Sequence, residues 1–374
     1  MKTRGAWIAI PVLAAMVAVV LGAGPFASVG VASPSSGPTR GPELNALPGP
    51  DGAAVPQLRR SELFTFHSDV FVNFHHFLYR WGQAGPGADL SNLDPTIRVR
   101  PEDLEAYERM GAAEREQWEV PVTVYRRDTI GRNLLFDEGM VALRDCLVMA
   151  GNFCDRLEAR DEATVEMLAE RIGLYRRFFW DRHNEANRAW IAEMIPLAQR
   201  FEAAIAPRLA EAYTGAWPES RNRVDVSYYA NRVGGYTTAD GHITISSVGD
   251  GNQGYLGLEL LFHEASHGES LEGPLRRLIR RSFDAIGAET PTDLWHMTIF
   301  YTAGHLTRAV LAEAGIDYPQ TYAESGGIFE RREDNIRAKA ALDAHWKAAL
   351  DSGEGFREAM AGVARAWDAS GDRD

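Results

Sequence analysis

The chain has 374 residues, of which 45% are hydrophobic, and it carries a formal net charge of −13. Its basic residues are dispersed and almost all arginine, and together with the acidic balance this argues against a nucleic-acid partner. Beyond the N-terminal region roughly 315 residues remain, enough for a large core in one big domain or two closely packed ones. Nothing in the sequence indicates an oligomeric state.

Residues 1–32 predict a signal peptide. Lys2 and Arg4 form a positively charged start, residues 6–24 are mostly apolar, and residues 30–32 have the small side chains of a cleavage site. The alternative is an uncleaved membrane anchor, because the apolar stretch approaches the length that spans a bilayer. The sequence therefore predicts an exported protein that is periplasmic, on the cell surface or extracellular. The protein would be bound to a membrane only if this segment is not cleaved.

Residues 33–57 are rich in Pro, Gly, Ser and Ala and predict a flexible tether. A helical domain is expected over residues 58–217. Its first helix is predicted to run from Ser61 to Trp81, where apolar residues recur at helical spacing. The other helices predicted in this half cover 102–118, 128–150, 158–183 and 185–213.

The pattern changes at Trp217, and a second domain is predicted over residues 218–374. Residues 224–229 and 241–247 alternate in polarity, are rich in β-forming residues and are separated by glycine turn signals. They predict a small antiparallel sheet. Helices are then predicted over 254–269, 274–287, 291–314, 328–350 and 354–369. The predicted fold class is therefore mainly α, of the α+β type.

The start of the predicted helix 291–314 is well marked. Thr290 is a candidate N-cap, Pro291 would take the first helical position, and Asp293 would reach back as in a capping box. Gly315 is expected to close the helix.

The chain has two cysteines, Cys146 and Cys154. In an unbroken helix they would lie about 12 Å apart, too far for a disulfide. Gly151-Asn152 lies between them and could supply a turn that brings them together. In an exported protein we expect a disulfide, and two buried free thiols are the alternative.

The most informative segment is His263-Glu264-Ala265-Ser266-His267, which reads H-E-x-x-H within an apolar run of helical character. On a helix, residues four apart share a face, so both imidazoles can bind one metal ion. Glu264 can reach a metal-bound water rather than the metal, as the general base of a zinc hydrolase does. The alternative is a helix that carries two histidines for packing or solvation.

A third ligand is expected on the predicted helix 291–314, which carries His296 and His305. These lie on opposite sides of the helix, so one metal ion cannot bind both. We predict that Zn²⁺ binds His263, His267 and His296, with His305 or a carboxylate as alternatives to His296. Tyr301 is a candidate donor to a tetrahedral oxyanion, and a buried, hydrogen-bonded tyrosine is the alternative.

Glu259 lies one turn before His263 on the same face of the predicted helix. A carboxylate in that position can accept a hydrogen bond from a ligand imidazole. The alternative is a solvated helix residue.

These features together resemble the zincin metallopeptidases. A short β-sheet precedes the H-E-x-x-H helix, and a later helix carries the third ligand, so the resemblance covers about residues 220–314. Gly273 stands six positions after His267, where the metzincin branch has a histidine, and the gluzincin-like branch is therefore the closer match. The whole chain also resembles uncharacterised exported bacterial proteins that carry this motif.

The resemblance implies a zinc metallopeptidase that acts on a peptide or protein. It also implies an edge strand that binds extended substrate, and residues 243–247 match that strand here. Two alternatives stay open. One is a zincin-like protein whose metal serves binding or structure without turnover, and the other is a metal hydrolase of non-peptide bonds.

Overall fold

The computed structural model describes residues 60–91, 93–94, 96–148, 154–232 and 234–371. The predicted signal peptide (1–32), the tether (33–57) and the turn at Gly151-Asn152 lie outside these residues. Among the described helices, none combines the length and the apolarity that crossing a bilayer requires.

Helices dominate the described chain, which confirms the predicted mainly α class. They are α1 Val70–Ala84, α2 Pro101–Glu108, α3 Ala112–Val124, α4 Glu138–Val148, α5 Ala159–Tyr175, α6 Asp181–Ala212, α7 Gly254–Ala265, α8 Glu269–Asp284, α9 Leu294–Glu313, α10 Tyr322–Ser325, α11 Glu333–Ala341, α12 Lys347–Ser352 and α13 Phe356–Gly371. Single π-helical turns at Tyr125–Thr129, Arg176–Trp180 and Leu342–Trp346 extend or join neighbouring helices.

One four-stranded sheet accompanies the helices. Its strands are β1 Phe64–His67, β2 Asn222–Ser227, β3 Gly235–Thr237 and β4 Ile243–Ser246, in the spatial order β1-β2-β4-β3. The two strands predicted from the sequence, β2 and β4, are neighbours, but they pair in parallel and not antiparallel. The reason is that β3 lies between them in the chain and takes the antiparallel place beside β4.

The helix predicted from Ser61 to Trp81 is wrong over its first residues. Phe64 and Phe66 are buried on one face of β1, which pairs in parallel with β2. Helix α1 begins only at Val70, where the Asp69 side chain accepts hydrogen bonds from two backbone N–H groups of the first turn. Two apolar residues spaced by two fit a strand as well as a helix, and the sheet contact decides between them.

The start predicted for helix 291–314 is also wrong. Helix α9 begins at Leu294, with Asp293 at its N-cap, so Thr290 and Pro291 precede the helix instead of starting it. Gly315 follows its last turn with a positive φ of 73°, a conformation that glycine adopts without strain. The predicted end of the helix is therefore confirmed.

Two hydrophobic clusters form the core. The first contains residues of the sheet, including β1, and of helices α6 to α13. The second contains residues of α1 to α5 together with Tyr228, Tyr229 and Tyr236. Helix α6 and strand β1 come before the boundary predicted at 217, yet they pack with the elements that follow it. Within the second cluster, Cys146 and Cys154 form a disulfide, as expected.

Candidate metal centre

The H-E-x-x-H segment begins in α7 and ends just beyond it. Buried leucines and Phe262 place α7 in the main core, where it packs against α6 and α9. The helix was predicted to run to residue 269, but it ends at Ala265. The Ser266 hydroxyl donates back to the Phe262 carbonyl at 2.7 Å, and His267 lies in the turn that follows. Nonetheless His267 Nε2 lies 3.4 Å from His263 Nε2, so both imidazoles face one point.

His296 completes a cluster of three imidazoles. It lies in the first turn of α9, and its ring centroid is 5.4 Å from that of His263 and 5.1 Å from that of His267. One ring nitrogen from each histidine lies within 4.8 Å of the others. His305 lies elsewhere on α9 and pairs with Asp351 at 2.8 Å. The structure therefore brings His296 to the other two imidazoles and leaves His305 apart.

The electrostatics of this cluster suit a cation. Burial lowers the pKa of His263 well below its usual range, and the neighbouring imidazoles act in the same direction. Burial likewise lowers the pKa of His296 to about 3. Both imidazoles are therefore neutral at physiological pH, which is the form that binds a metal ion. Their side chains thus fit a Zn²⁺ ion chemically as well as geometrically.

A carboxylate and an arginine hold this cluster from the α8 side, and the sequence analysis missed both. His267 Nδ1 donates to Glu272 Oε2 at 2.7 Å, which leaves Nε2 of that imidazole to face the cluster. Arg276 donates to the other oxygen of Glu272 at 2.6 Å and stacks 3.5 Å above the Trp295 ring. Their i, i+4 spacing gave no signal at that point, because the next helix was predicted to begin only at residue 274, after Glu272, whereas α8 begins at Glu269.

Glu264 follows His263 in α7, and one of its carboxylate oxygens has a hydrogen-bond donor in β3. Its Oε2 accepts a hydrogen bond from Thr237 Oγ1 at 2.8 Å. A Cβ placed on Gly235 would lie 3.2 Å from Glu264 Oε1, so the strand approaches that oxygen closely. Burial raises the pKa of the Glu264 carboxyl, which makes it a stronger proton acceptor than an exposed carboxylate.

The strand next to Glu264 is not the one predicted. Residues 243–247 were expected to form the substrate-binding edge strand, but β4 lies inside the sheet between β2 and β3. Thr237 and Gly235 belong to β3, which is the outer strand on this side of the described sheet. A three-residue strand with a glycine carries little periodic signal, and this explains why it was missed.

Tyr301, the predicted oxyanion donor, is not near the three imidazoles. Its hydroxyl donates to Asp343 at 2.7 Å, and its ring stacks on His305. Tyr322 is the tyrosine that the structure brings to the site. Its ring is parallel to that of Phe300, which stacks 3.9 Å from the His263 ring. Burial, followed by the charges of Glu264 and Glu259, raises the pKa of Tyr322 to about 12.

Glu259 has neither of its predicted environments. It is fully buried, so it is not a solvated helix residue. Its Oε2 accepts hydrogen bonds from Tyr318 Oη at 2.7 Å and from the Tyr322 backbone N–H at 3.0 Å, and neither donor is a ligand imidazole. Burial raises the pKa of Glu259 to about 7.

A second group of side chains, Asp145, Asp240 and His242, also has donor atoms within 4.8 Å of one another. Arg144 donates to both carboxylates of this group. His242 pairs through Nε2 with the buried Asp225. A guanidinium and a carboxylate thus already satisfy these residues, and the three-histidine cluster is the better candidate for a metal centre.

Comparisons of this chain with protein-family models, with curated proteins and with solved structures found no match.

Proposed function

We propose that this chain is an exported zinc metallopeptidase. Its metal would be held by His263, His267 and His296, with Glu264 as the general base. The observation that carries the proposal is the convergence of three imidazoles, two of them held neutral by burial, beside a buried carboxylate. Three protein ligands with a further position for substrate are typical of catalytic zinc sites, whereas structural sites have four.

Zinc bound by these imidazoles would supply a Lewis acid to the reaction. Glu264 would take a proton from the attacking water as the C–O bond forms at the carbonyl carbon, and would later deliver that proton to the amine nitrogen as the C–N bond breaks and the amine leaves. Thr237 fixes one oxygen of this carboxylate through its 2.8 Å hydrogen bond. Glu272 holds the His267 ring in the tautomer whose Nε2 is unprotonated.

Strand β3 supports a peptide as the substrate. It is the outer strand of the described sheet on the side of Glu264, and its other edge is paired with β4. An extended peptide can add a strand to such an edge through main-chain hydrogen bonds. Because Gly235 lies against Glu264 Oε1, a chain bound there would pass close to the general base.

The disulfide between Cys146 and Cys154 supports export. Disulfides persist in oxidising compartments and are rare in the cytosol. The N-terminal segment that predicts the signal peptide lies outside the described residues.

Metal analysis and a cleavage assay together test the proposal. The purified, zinc-reconstituted protein should hold about one zinc per chain, since the cluster forms one three-histidine site. It should also cleave members of a peptide library, and a chelator should abolish that cleavage. Far less than one equivalent of zinc would contradict the metal site. Stoichiometric zinc without any cleavage would favour a binding or structural role instead.

A further inference from the structure

Residues 318–325 form a short segment between α9 and α11 that two helices hold in place. Arg308 of α9 donates to the Tyr318 carbonyl and to the Pro319 carbonyl, each at 3.1 Å. From α7, the Glu259 carboxyl accepts from the Tyr318 hydroxyl and from the Tyr322 backbone N–H. The helix that bears the metal motif is thereby bonded directly to this segment.

The segment packs tightly against α9 at a glycine. A Cβ on Gly304 would lie 2.8 Å from Thr321 Cγ2 and 3.0 Å from Glu259 Oε1, so the close approach requires a residue without a side chain. Thr321 then caps the one-turn helix α10 that carries Tyr322. The backbone position of Tyr322 is therefore set by its hydrogen bond to Glu259 and by the close approach of Thr321 to Gly304.

Tyr322 in turn lies at the candidate metal centre. Its ring is parallel to that of Phe300, with centroids 6.4 Å apart, and the Phe300 ring in turn stacks on His263 and contacts His296 in a tilted arrangement. Its side chain is half-buried, and the charge of Glu264 acts on its phenol. A partly buried phenol near the general base can donate a hydrogen bond to a bound substrate.

We propose that Glu259 is a positioning residue that fixes the Tyr322 backbone and so aims the Tyr322 phenol at the substrate bound beside His263 and Glu264. This rests on the proposed hydrolase function. Glu259 itself touches neither substrate nor metal. It lies one turn of α7 before His263, and its carboxyl is hydrogen-bonded to the Tyr322 backbone N–H.

Kinetics of four variants test this role. Glu259→Leu removes both hydrogen bonds at similar volume and should lower kcat/KM about as much as Tyr322→Phe does, by roughly tenfold to hundredfold. The double variant should lose no more than either single variant, because both remove the same contact. Glu259→Gln keeps an acceptor oxygen and should stay within roughly threefold of the native rate. Additive losses in the double variant, or an unaffected Glu259→Leu, would overturn the proposal.

Two further variants separate positioning from a general loss of structure. Tyr318→Phe removes only the other bond to Glu259 and should leave kcat/KM nearly unchanged. Gly304→Ala pushes on Thr321 and on Glu259 Oε1 without removing either and should reproduce the loss seen in Glu259→Leu. If Glu259→Leu does not fold, Gly304→Ala combined with Tyr322→Phe gives the same test of additivity.

A spectroscopic readout does not depend on turnover. In protein labelled with 3-fluorotyrosine, the ¹⁹F resonance that disappears in Tyr322→Phe should shift when zinc is added. That resonance should move in Glu259→Leu and stay in place in Glu259→Gln. If the protein binds zinc but cleaves no peptide, these shifts still test the positioning role. A Tyr322 resonance that responds to neither zinc nor Glu259→Leu would contradict it.

Discussion

Glu272 Oε2 accepts a hydrogen bond from His267 Nδ1 at 2.7 Å, so a carboxylate on α8 orients an imidazole that lies beyond the end of α7. His267 is the candidate ligand with the weakest local support, because the helix has already ended at Ala265. Arg276 holds the same carboxylate through its other oxygen. The geometry of the cluster therefore depends on α8 as well as on the motif.

Replacing Glu272 should weaken zinc binding. We expect Glu272→Ala to lower zinc affinity roughly 10-fold to 100-fold, because the imidazole loses its fixed orientation and some basicity. Competition with a chromophoric chelator measures this effect. Glu269→Ala on the same helix is the matched control, since Glu269 is exposed. The zinc affinity of this variant should equal that of the native protein. Equal affinities in both variants would show that Glu272 does not support the site.

Glu264→Gln should separate metal binding from hydrolysis. The amide can still accept from Thr237, but it cannot take a proton, so zinc content should persist while hydrolysis falls at least about 100-fold. His263→Ala should lose both zinc and activity. Metal analysis and a cleavage assay on the same preparations give the answer. Full activity of Glu264→Gln on a validated substrate would mean that another group acts as the base.

The two histidines of α9 should behave differently. His296→Ala should weaken zinc binding by orders of magnitude, because two imidazoles alone hold zinc poorly. His305→Ala should leave zinc affinity nearly intact, since its imidazole pairs with Asp351 away from the cluster. The same chelator competition decides between them. Loss of zinc only in His305→Ala would place the metal on the opposite face of α9.

Glu259 should make the metal-free protein less stable as the pH rises. Its pKa is raised from 4.5 to about 7 in the folded state, so the folded protein binds this proton more tightly than the unfolded chain does. The stabilisation is complete below about pH 4.5, falls as the pH rises towards 7, and amounts to about 3 kcal/mol. Denaturant titrations of the native protein and of Glu259→Gln, compared between pH 5 and 8, isolate this contribution. The unfolding free energy of the native protein, relative to that of Glu259→Gln, should fall as the pH rises. A difference that does not change with pH would contradict the assignment.

The sequence predicted the helical class and two of the strands because both depend on local periodicity. The resemblance to the gluzincin-like branch also placed a candidate metal ligand on α9, and His296 does lie with His263 and His267. Strand β1 was missed because Phe64 and Phe66 fit either period, and only their contact with β2 makes them a strand. The direction of β4 depends on β3, which is too short to be recognised.

The support around the imidazoles could not be predicted for a different reason. Glu272, Thr237 and Tyr322 come from three separate elements, and their proximity to the motif arises only in the packed chain. Tyr301 was a candidate because it shares a polar stripe with His305 on the helix predicted to carry the third ligand. The structure brings His296 to the cluster instead, and five residues along a helix turn the Tyr301 side chain well away from His296, so that its hydroxyl reaches Asp343.

Strand β1 has a consequence for how the chain can be divided. Residues 64–67 complete one side of the sheet that supports the metal motif, and Phe64 packs edge-on against Phe262, the residue just before His263. A fragment that starts at residue 218 would carry every proposed zinc ligand but would expose the flank of β2 and the apolar surface that α6 and β1 cover. Unpaired strand edges and open apolar faces lead to aggregation. The ligands all lie in the second half of the sequence, but the site they form is a property of both halves folded together.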